Sequence, residues 1–230
     1  MARSVIVTGG FGILGQAVAQ AFAAAGDKVA RIDYAPRPSE PIAGALDIGG
    51  VDLTDSAATQ AALNKVIAAH GGIDVLVNVA GGFAWETVEG GSLDTFARMH
   101  AMNVTTNATV TKLALPSLKA SGAGRIVNIG AGGAVKAAMG MGAYAASKSG
   151  VHRLTEALAE ELSGTSVTVN AVLPSIIDTP TNRADMPDAD FSTWVKPSAI
   201  AEVIAFLASD ASRAVTGALI PVTRGDTSAN

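Results

Sequence analysis

Residues 8–15 read Thr8-Gly9-Gly10-Phe11-Gly12-Ile13-Leu14-Gly15. A short apolar run, Val5-Ile6-Val7, leads into them, and Ala-rich sequence of helical period follows to about residue 25. Gly10, Gly12 and Gly15 satisfy the spacing G-x-G-x-x-G between a strand and a helix. The missing side chains permit a tight turn and let backbone N–H groups approach a pyrophosphate, while the helix N-terminus adds a favourable dipole. Asp33 closes the next β-like run, close to the ~20 residues beyond the loop that a dinucleotide site expects. A carboxylate there accepts hydrogen bonds from a ribose diol and repels a 2′-phosphate. NAD(H) is therefore the preferred cofactor, and Arg37 is near enough to meet a phosphate and keep NADP(H) possible.

Outward from this loop, β-branched runs alternate with longer Ala/Leu-rich segments, the pattern of a parallel sheet covered on both faces. Strands are expected at 4–8, 28–33, 45–51, 73–79, 125–129, 166–172 and 218–222, and helices at 13–25, 56–69, 93–119, 143–163 and 197–209. The segment 93–119 is long enough to bend or break. The expected architecture is α/β: one domain over 1–230 with a doubly wound, seven-stranded parallel sheet. Residues 175–196 lack a clear period and form a lid-like excursion, and 226–230 are expected to fray. In such sheets ligands bind outside the carboxyl ends of the strands, where Asp52-Leu53 and Asn78-Val79-Ala80-Gly81 also fall.

Composition narrows the classes further. Hydrophobic residues make up 49% and charged residues 16%, enough apolar material for one large core. The formal net charge of −4, without basic runs, argues against nucleic acid. There is no cysteine, which excludes disulfides and thiolate chemistry. No apolar stretch approaches the ~20 residues of a membrane span, and no charged-then-apolar leader precedes the first strand. A cytoplasmic protein without membrane or metal partners is expected.

Chemistry enters with Tyr144-Ala145-Ala146-Ser147-Lys148. Four residues apart on a helix, the phenol and the ammonium share one face. A nearby cation favours the phenolate and lowers a pKa that is ordinarily near ~10, making the pair a candidate proton donor or acceptor.

Taken in order, the glycine loop, Asp33, Asp52, Asn78-Val-Ala-Gly81, Asn103, Tyr144-Ala-Ala-Ser-Lys148 and the stretch from Pro174 to Thr179 resemble the short-chain dehydrogenase/reductases over nearly the whole chain. The resemblance implies a Rossmann fold and hydride transfer to or from a nicotinamide. It implies Tyr144 as general acid/base, Lys148 as the residue that tunes Tyr144 and holds the nicotinamide ribose, and Asn103 as the orderer of a relay water. Gly9, Phe11, Gly12, Ile13, Leu14, Asp33, Asp52, Leu53, Asn78, Ala80 and Gly81 would surround the cofactor with Tyr144 and Lys148. Pro174, Ile177 and Thr179 would hold its carboxamide end. The family also implies a homodimer or homotetramer.

Three residues depart from the common pattern. Thirteen positions before Tyr144, where many relatives carry a carbonyl-polarising serine, stands Ala131, which has no hydrogen to donate. Val79 replaces a frequent Asn, and Ser175 a frequent Gly. Within the family, these departures, the double-glycine loop and the string from Asp178 to Trp194 resemble the dihydropteridine reductases. That branch implies NADH-dependent reduction of a planar C=N or quinonoid substrate, with Phe83, Trp85, Phe191 and Trp194 clustered at the pocket beside Ala131. An NAD(P)-dependent alcohol dehydrogenase or ketone reductase is the alternative, and a non-catalytic dinucleotide-binding protein a third. His70, His100 and His152 lie away from every motif and read as surface or packing residues.

Overall fold

Every residue of Ser4–Thr8 (β1), Val75–Asn78 (β4), Arg125–Ile129 (β5) and Thr168–Pro174 (β6) is buried, because these strands lie inside the sheet with helices on both faces. The computed structural model describes residues 2–225; the expected fraying of 226–230 lies outside the described residues. With Lys28–Ile32 (β2), Leu46–Ile48 (β3) and Leu219–Val222 (β7), they form a parallel seven-stranded sheet in the order β3-β2-β1-β4-β5-β6-β7. Consecutive strands run outward to β3, and the chain then crosses back to place β4 beside β1. The ends of β1 and β4 therefore open a crevice at this switch point.

Helices Ile13–Ala24 (α1), Ser56–His70 (α2), Leu93–His100 (α3), Thr106–Ala120 (α4), Gly142–Glu161 (α5), Pro180–Asp185 (α6) and Pro197–Leu207 (α7) cover the sheet. One face packs Ile6, Ile32, Leu76 and Ile126 with apolar residues of α2, α4 and α5. The other packs Val5, Val7, Val77 and Val127 with α1 and α7.

The element pattern follows the sequence, with three local differences. The expected strand 45–51 is only Leu46–Ile48, since an edge strand pairs on one side alone and Gly49-Gly50 follow at once. The expected helix 93–119 is interrupted by a π-helical turn at Ala101–Thr105, a break of the kind often found at functional sites. Within the excursion 175–196, Thr179 caps a short helix, its side chain accepting from Asn182 N–H at 3.1 Å, with Pro180 in the first turn.

Candidate active site

The crevice beside β1 and β4 is a cleft of about 870 Å³ lined by Gly9, Phe11, Gly12, Leu14, Asp33, Asp52, Leu53, Ala80 and Gly81, together with Arg37, Thr54 and Arg98. Its floor demands glycine. Gly9 has φ +62°, and a Cβ there would stand 2.8 Å from the Ala80 backbone. A Cβ on Gly15 would run into the Gly9 carbonyl. The cradle is thus bare backbone leading into the N-terminus of α1, the form that suits a pyrophosphate. Asp33 stands at its rim, where Oδ2 accepts from Phe11 N–H and Oδ1 from Ala35 N–H, both at 2.9 Å. Asp52 accepts from the backbone and hydroxyl of Thr54 at 2.9 and 2.7 Å, which hold its carboxyl below the usual range.

One supporting residue was not foreseen. Arg31, fully buried in β2, binds both Asp47 oxygens at 2.7 and 2.8 Å, Gln16 and the Glu40 carbonyl. The Phe11 ring lies 5.3 Å from its guanidinium carbon, so the loop's aromatic residue is seated on a fixed cation. An Arg in a β-run gives no sequence signal for this, because the partners come from α1, β3 and the intervening loop.

At the other end of the cleft, Gly81 lies between Asn103 and Lys148: a Cβ on it would meet Asn103 Oδ1 at 2.5 Å and Lys148 Nζ at 3.4 Å. Asn103 sits in the π turn. Its Nδ2 donates to Gly82 O at 3.1 Å and to Ser147 Oγ at 2.9 Å, and Oδ1 accepts from Gly82 N–H at 3.0 Å. Both amide hydrogens are committed, so the side chain ties the β4–α3 loop to α5 and has none left to donate to a water.

Tyr144 and Lys148 share a face of α5, as their spacing requires. The Phe83 ring meets Tyr144 edge-on, centroids 4.8 Å apart. Lys148, 6% exposed, donates to Ile129 O at 2.8 Å. The expected lowering of the Tyr144 pKa is not found. Burial pushes the phenol up to about 12 and the ammonium down to about 8, each through loss of solvation.

Other expected contacts are redistributed. Asn78 is buried, and its Nδ2 donates to Thr111 Oγ1 and Asn128 Oδ1 at 3.0 Å, so its side chain braces β4 against α4 and β5 instead of facing the cleft. The Ile13 side chain is half exposed at the start of α1. Pro174 ends β6. The Ile177 carbonyl accepts from Asn182 Nδ2 at 2.7 Å, and Thr179 caps α6.

The four aromatic residues do not form one cluster. Phe83 faces Tyr144, while Trp85 packs over Gly140. Trp194 is buried under the excursion, its ring 4.7 Å from that of Phe191, which also stacks on Arg183. Trp194 packs against Phe191 and does not line the glycine-floored cleft. Ala131 is buried at the end of β5, and the hydroxyls of Ser147 and Ser149 on α5 are engaged with backbone carbonyls. Ser147 Oγ donates to Tyr144 O at 2.7 Å, and Ser149 Oγ to Ala134 O at 3.0 Å. His152, expected far from every motif, accepts from Ala131 N–H at 3.2 Å.

Residues 3–190 match the family model described as short chain dehydrogenase. The chain belongs to the short-chain dehydrogenase family. It is 32% identical over 241 residues to the meso-2,3-butanediol dehydrogenase of Serratia marcescens, covering 99% of this chain and 96% of that one. It is 35% identical over 239 residues to the 3-oxoacyl-(acyl-carrier-protein) reductase MabA of Mycobacterium tuberculosis, covering 98% and 93%. The 3-ketoacyl-(acyl-carrier-protein) reductase of Brucella melitensis, solved with NADH, superposes with a TM-score of 0.86 at 27% identity, covering 96% of each chain. The protein is thus a short-chain dehydrogenase-type oxidoreductase, of a family that binds NAD(H) or NADP(H). Among the described residues no helix is long and apolar enough to cross a membrane, and no group of three or more His, Asp or Glu is placed to hold a metal ion.

Proposed function

We propose that this short-chain dehydrogenase interconverts a secondary alcohol and its ketone on a small molecule, using NAD(H) in preference to NADP(H). The reading is carried by Tyr144 and Lys148 on one face of α5, beside Gly81 at the end of a glycine-floored cleft. The bound nicotinamide would supply or take the hydride. Gly9, Gly12 and Gly15 offer the pyrophosphate bare backbone, and Asp33 offers the adenosine ribose a carboxylate that repels a 2′-phosphate. Arg37 on the same cleft is the reason that the preference is one of degree.

In the reductive direction, a phenol raised to about 12 keeps its proton at neutral pH and can pass it to an oxygen gaining charge. Lys148, still mostly cationic at pH 7, stabilises the phenolate left behind. Phe83, 59% exposed at the mouth, supplies an apolar wall beside the phenol. The names of the relatives, a diol dehydrogenase and two ketoacyl reductases, favour alcohol–ketone chemistry.

A second reading, reduction of a planar C=N or quinonoid compound such as a quinonoid dihydropteridine, is favoured by one observation. Ala131 leaves the carbonyl-polarising slot without a hydroxyl, which a conjugated C=N acceptor tolerates better than a ketone. Steady-state NADH oxidation with ketones, diketones and quinonoid dihydropterin, and NAD⁺ reduction with diols, decides between them. Turnover confined to the pterin would overturn the first reading, and turnover confined to ketones and diols the second.

A further inference from the structure

Two side chains one turn apart on α5 grip the same strand end. Lys148 Nζ donates to the Ile129 carbonyl at 2.8 Å, and the Ala131 N–H donates to His152 Nε2 at 3.2 Å. In extended backbone the C=O of one residue and the N–H two residues on project to the same side, and one helical turn advances ~5.4 Å. A pair at i, i+4 on the helix therefore matches a pair at i, i+2 on the strand. The cation takes the acceptor and the imidazole takes the donor.

Gly130, between the two gripped residues, shows how close the fit is. A Cβ on it would stand 2.5 Å from His152 Nε2 and 2.7 Å from Cδ2. The imidazole is buried against bare strand backbone, and Leu173 of β6 lies 3.1 Å from the same Cβ position. Accepting at Nε2 requires a neutral ring whose proton is on Nδ1. The Ala131 carbonyl is held in turn by Ala134 N–H at 3.1 Å, so the segment after β5 is fixed at both backbone groups of one residue.

We propose that His152 is a positioning residue that locks the register of α5 against β5, and with it the depth at which Lys148 and Tyr144 stand at the end of the cleft. This rests on the roles proposed above for those two residues. Without the imidazole acceptor, the Ala131 N–H loses its partner, and the polar ties left between α5 and β5 are Lys148 to the Ile129 carbonyl and, two turns on, Asn128 Nδ2 to Thr155 Oγ1 at 2.9 Å.

His152→Leu removes the acceptor, His152→Gln restores one on a side chain of comparable reach, and Gly130→Ala crowds the ring. Turnover, NADH affinity, thermal midpoint and the nitrogen NMR signals of the imidazole are measured for each. His152→Leu is expected to lower kcat by about ten- to a hundredfold while the NADH Kd stays within about twofold, as befits a misplacement of reacting groups. His152→Gln recovers most of the loss. Gly130→Ala shifts the thermal midpoint in the wild-type background and much less in His152→Leu, because both act on one contact. Nε2 is expected to resonate as an unprotonated nitrogen. Wild-type kcat in His152→Leu, equal losses in Leu and Gln, or a protonated Nε2 each overturn the proposal. If no ketone, alcohol or pterin is turned over, the functional reading fails by itself. The tautomer and the Gly130–His152 coupling, read without substrate, then uphold or overturn the clamp.

Discussion

Gly9 and Ala80 approach so closely across the switch point of the sheet that a Cβ on Gly9 would stand 2.8 Å from both the Cα and the amide nitrogen of Ala80. Gly9 also has φ +62°, a region that costs an L-residue with a side chain roughly 1–2 kcal/mol. Overpacking adds about 1–3 kcal/mol. Gly9→Ala is therefore expected to lower the thermal midpoint by several degrees and to weaken NADH binding, followed by nucleotide fluorescence. Unaltered affinity would mean that this loop is not the cofactor's cradle.

Asp33 tests cofactor choice. Its oxygens already hold Phe11 and Ala35 N–H, so the carboxylate is fixed at the rim while its charge stays directed at the cleft. In Asp33→Ser the repulsion of a 2′-phosphate disappears and Arg37 can act unopposed. The ratio of kcat/KM for NADH over NADPH is expected to fall by about tenfold or more, ~1.4 kcal/mol. A constant ratio would place the discrimination elsewhere.

Burial of Lys148 makes stability depend on pH. Its pKa falls from 10.5 unfolded to about 8 folded, so between these values the unfolded chain holds a proton that the native chain has released. Stability from this group is complete above pH 10.5 and is lost as pH falls through about 8, on the order of 3 kcal/mol. Tyr144 works oppositely: raised from 10 to about 12, it contributes fully below pH 10 and loses that contribution as pH rises toward 12. The difference in unfolding free energy between wild type and Lys148→Met should therefore move in favour of the wild type from pH 8 to pH 10. Urea unfolding at several pH values measures it, and a flat difference would contradict the burial of the cation.

How far the sequence carried this picture depends on the kind of contact. The fold was legible because β1, β4, β5 and β6 are buried on both faces and therefore read as short runs dominated by Val, Ile and Leu, without the alternation of a half-exposed strand. The glycine-floored cleft was legible because its floor is made largely of residues adjacent in sequence. Contacts between elements were not. Nothing at Asn78 announces that its amide serves Thr111 and Asn128, and nothing at Trp194 tells which way an aromatic ring in an irregular segment turns. His152 lies one turn beyond Lys148 and shares its face, a periodicity open to reading; what it meets there depends on the register of α5 on β5. The short helix α6 carried its own signal in Thr179-Pro180, a cap followed by a proline in the first turn.

Tyr144→Phe removes the hydroxyl and keeps the ring that meets Phe83. General acid catalysis of this kind contributes about 10²–10⁴-fold, so kcat should fall by that order while NADH affinity and thermal midpoint stay near wild type. Unchanged turnover would remove Tyr144 from its role. A loss of NADH binding equal to the loss of turnover would assign it to the cofactor instead.

Ala131→Ser asks which substrate the pocket suits. Ala131 is buried, with its N–H on His152 and its carbonyl on Ala134, so the backbone there is held and the added hydroxyl starts from a fixed Cβ. A donor aimed at a developing oxyanion is worth about 10²–10³ in kcat where it has been removed from other enzymes. Part of that gain, about tenfold or more, should appear for ketones, whose oxygen gathers charge beside this position. A quinonoid C=N acceptor spreads that charge over its ring and should respond little. The kcat/KM of the variant for both substrate types, divided by the wild-type values, gives the answer. Equal changes for the two would mean that the residue at 131 does not face the reacting bond.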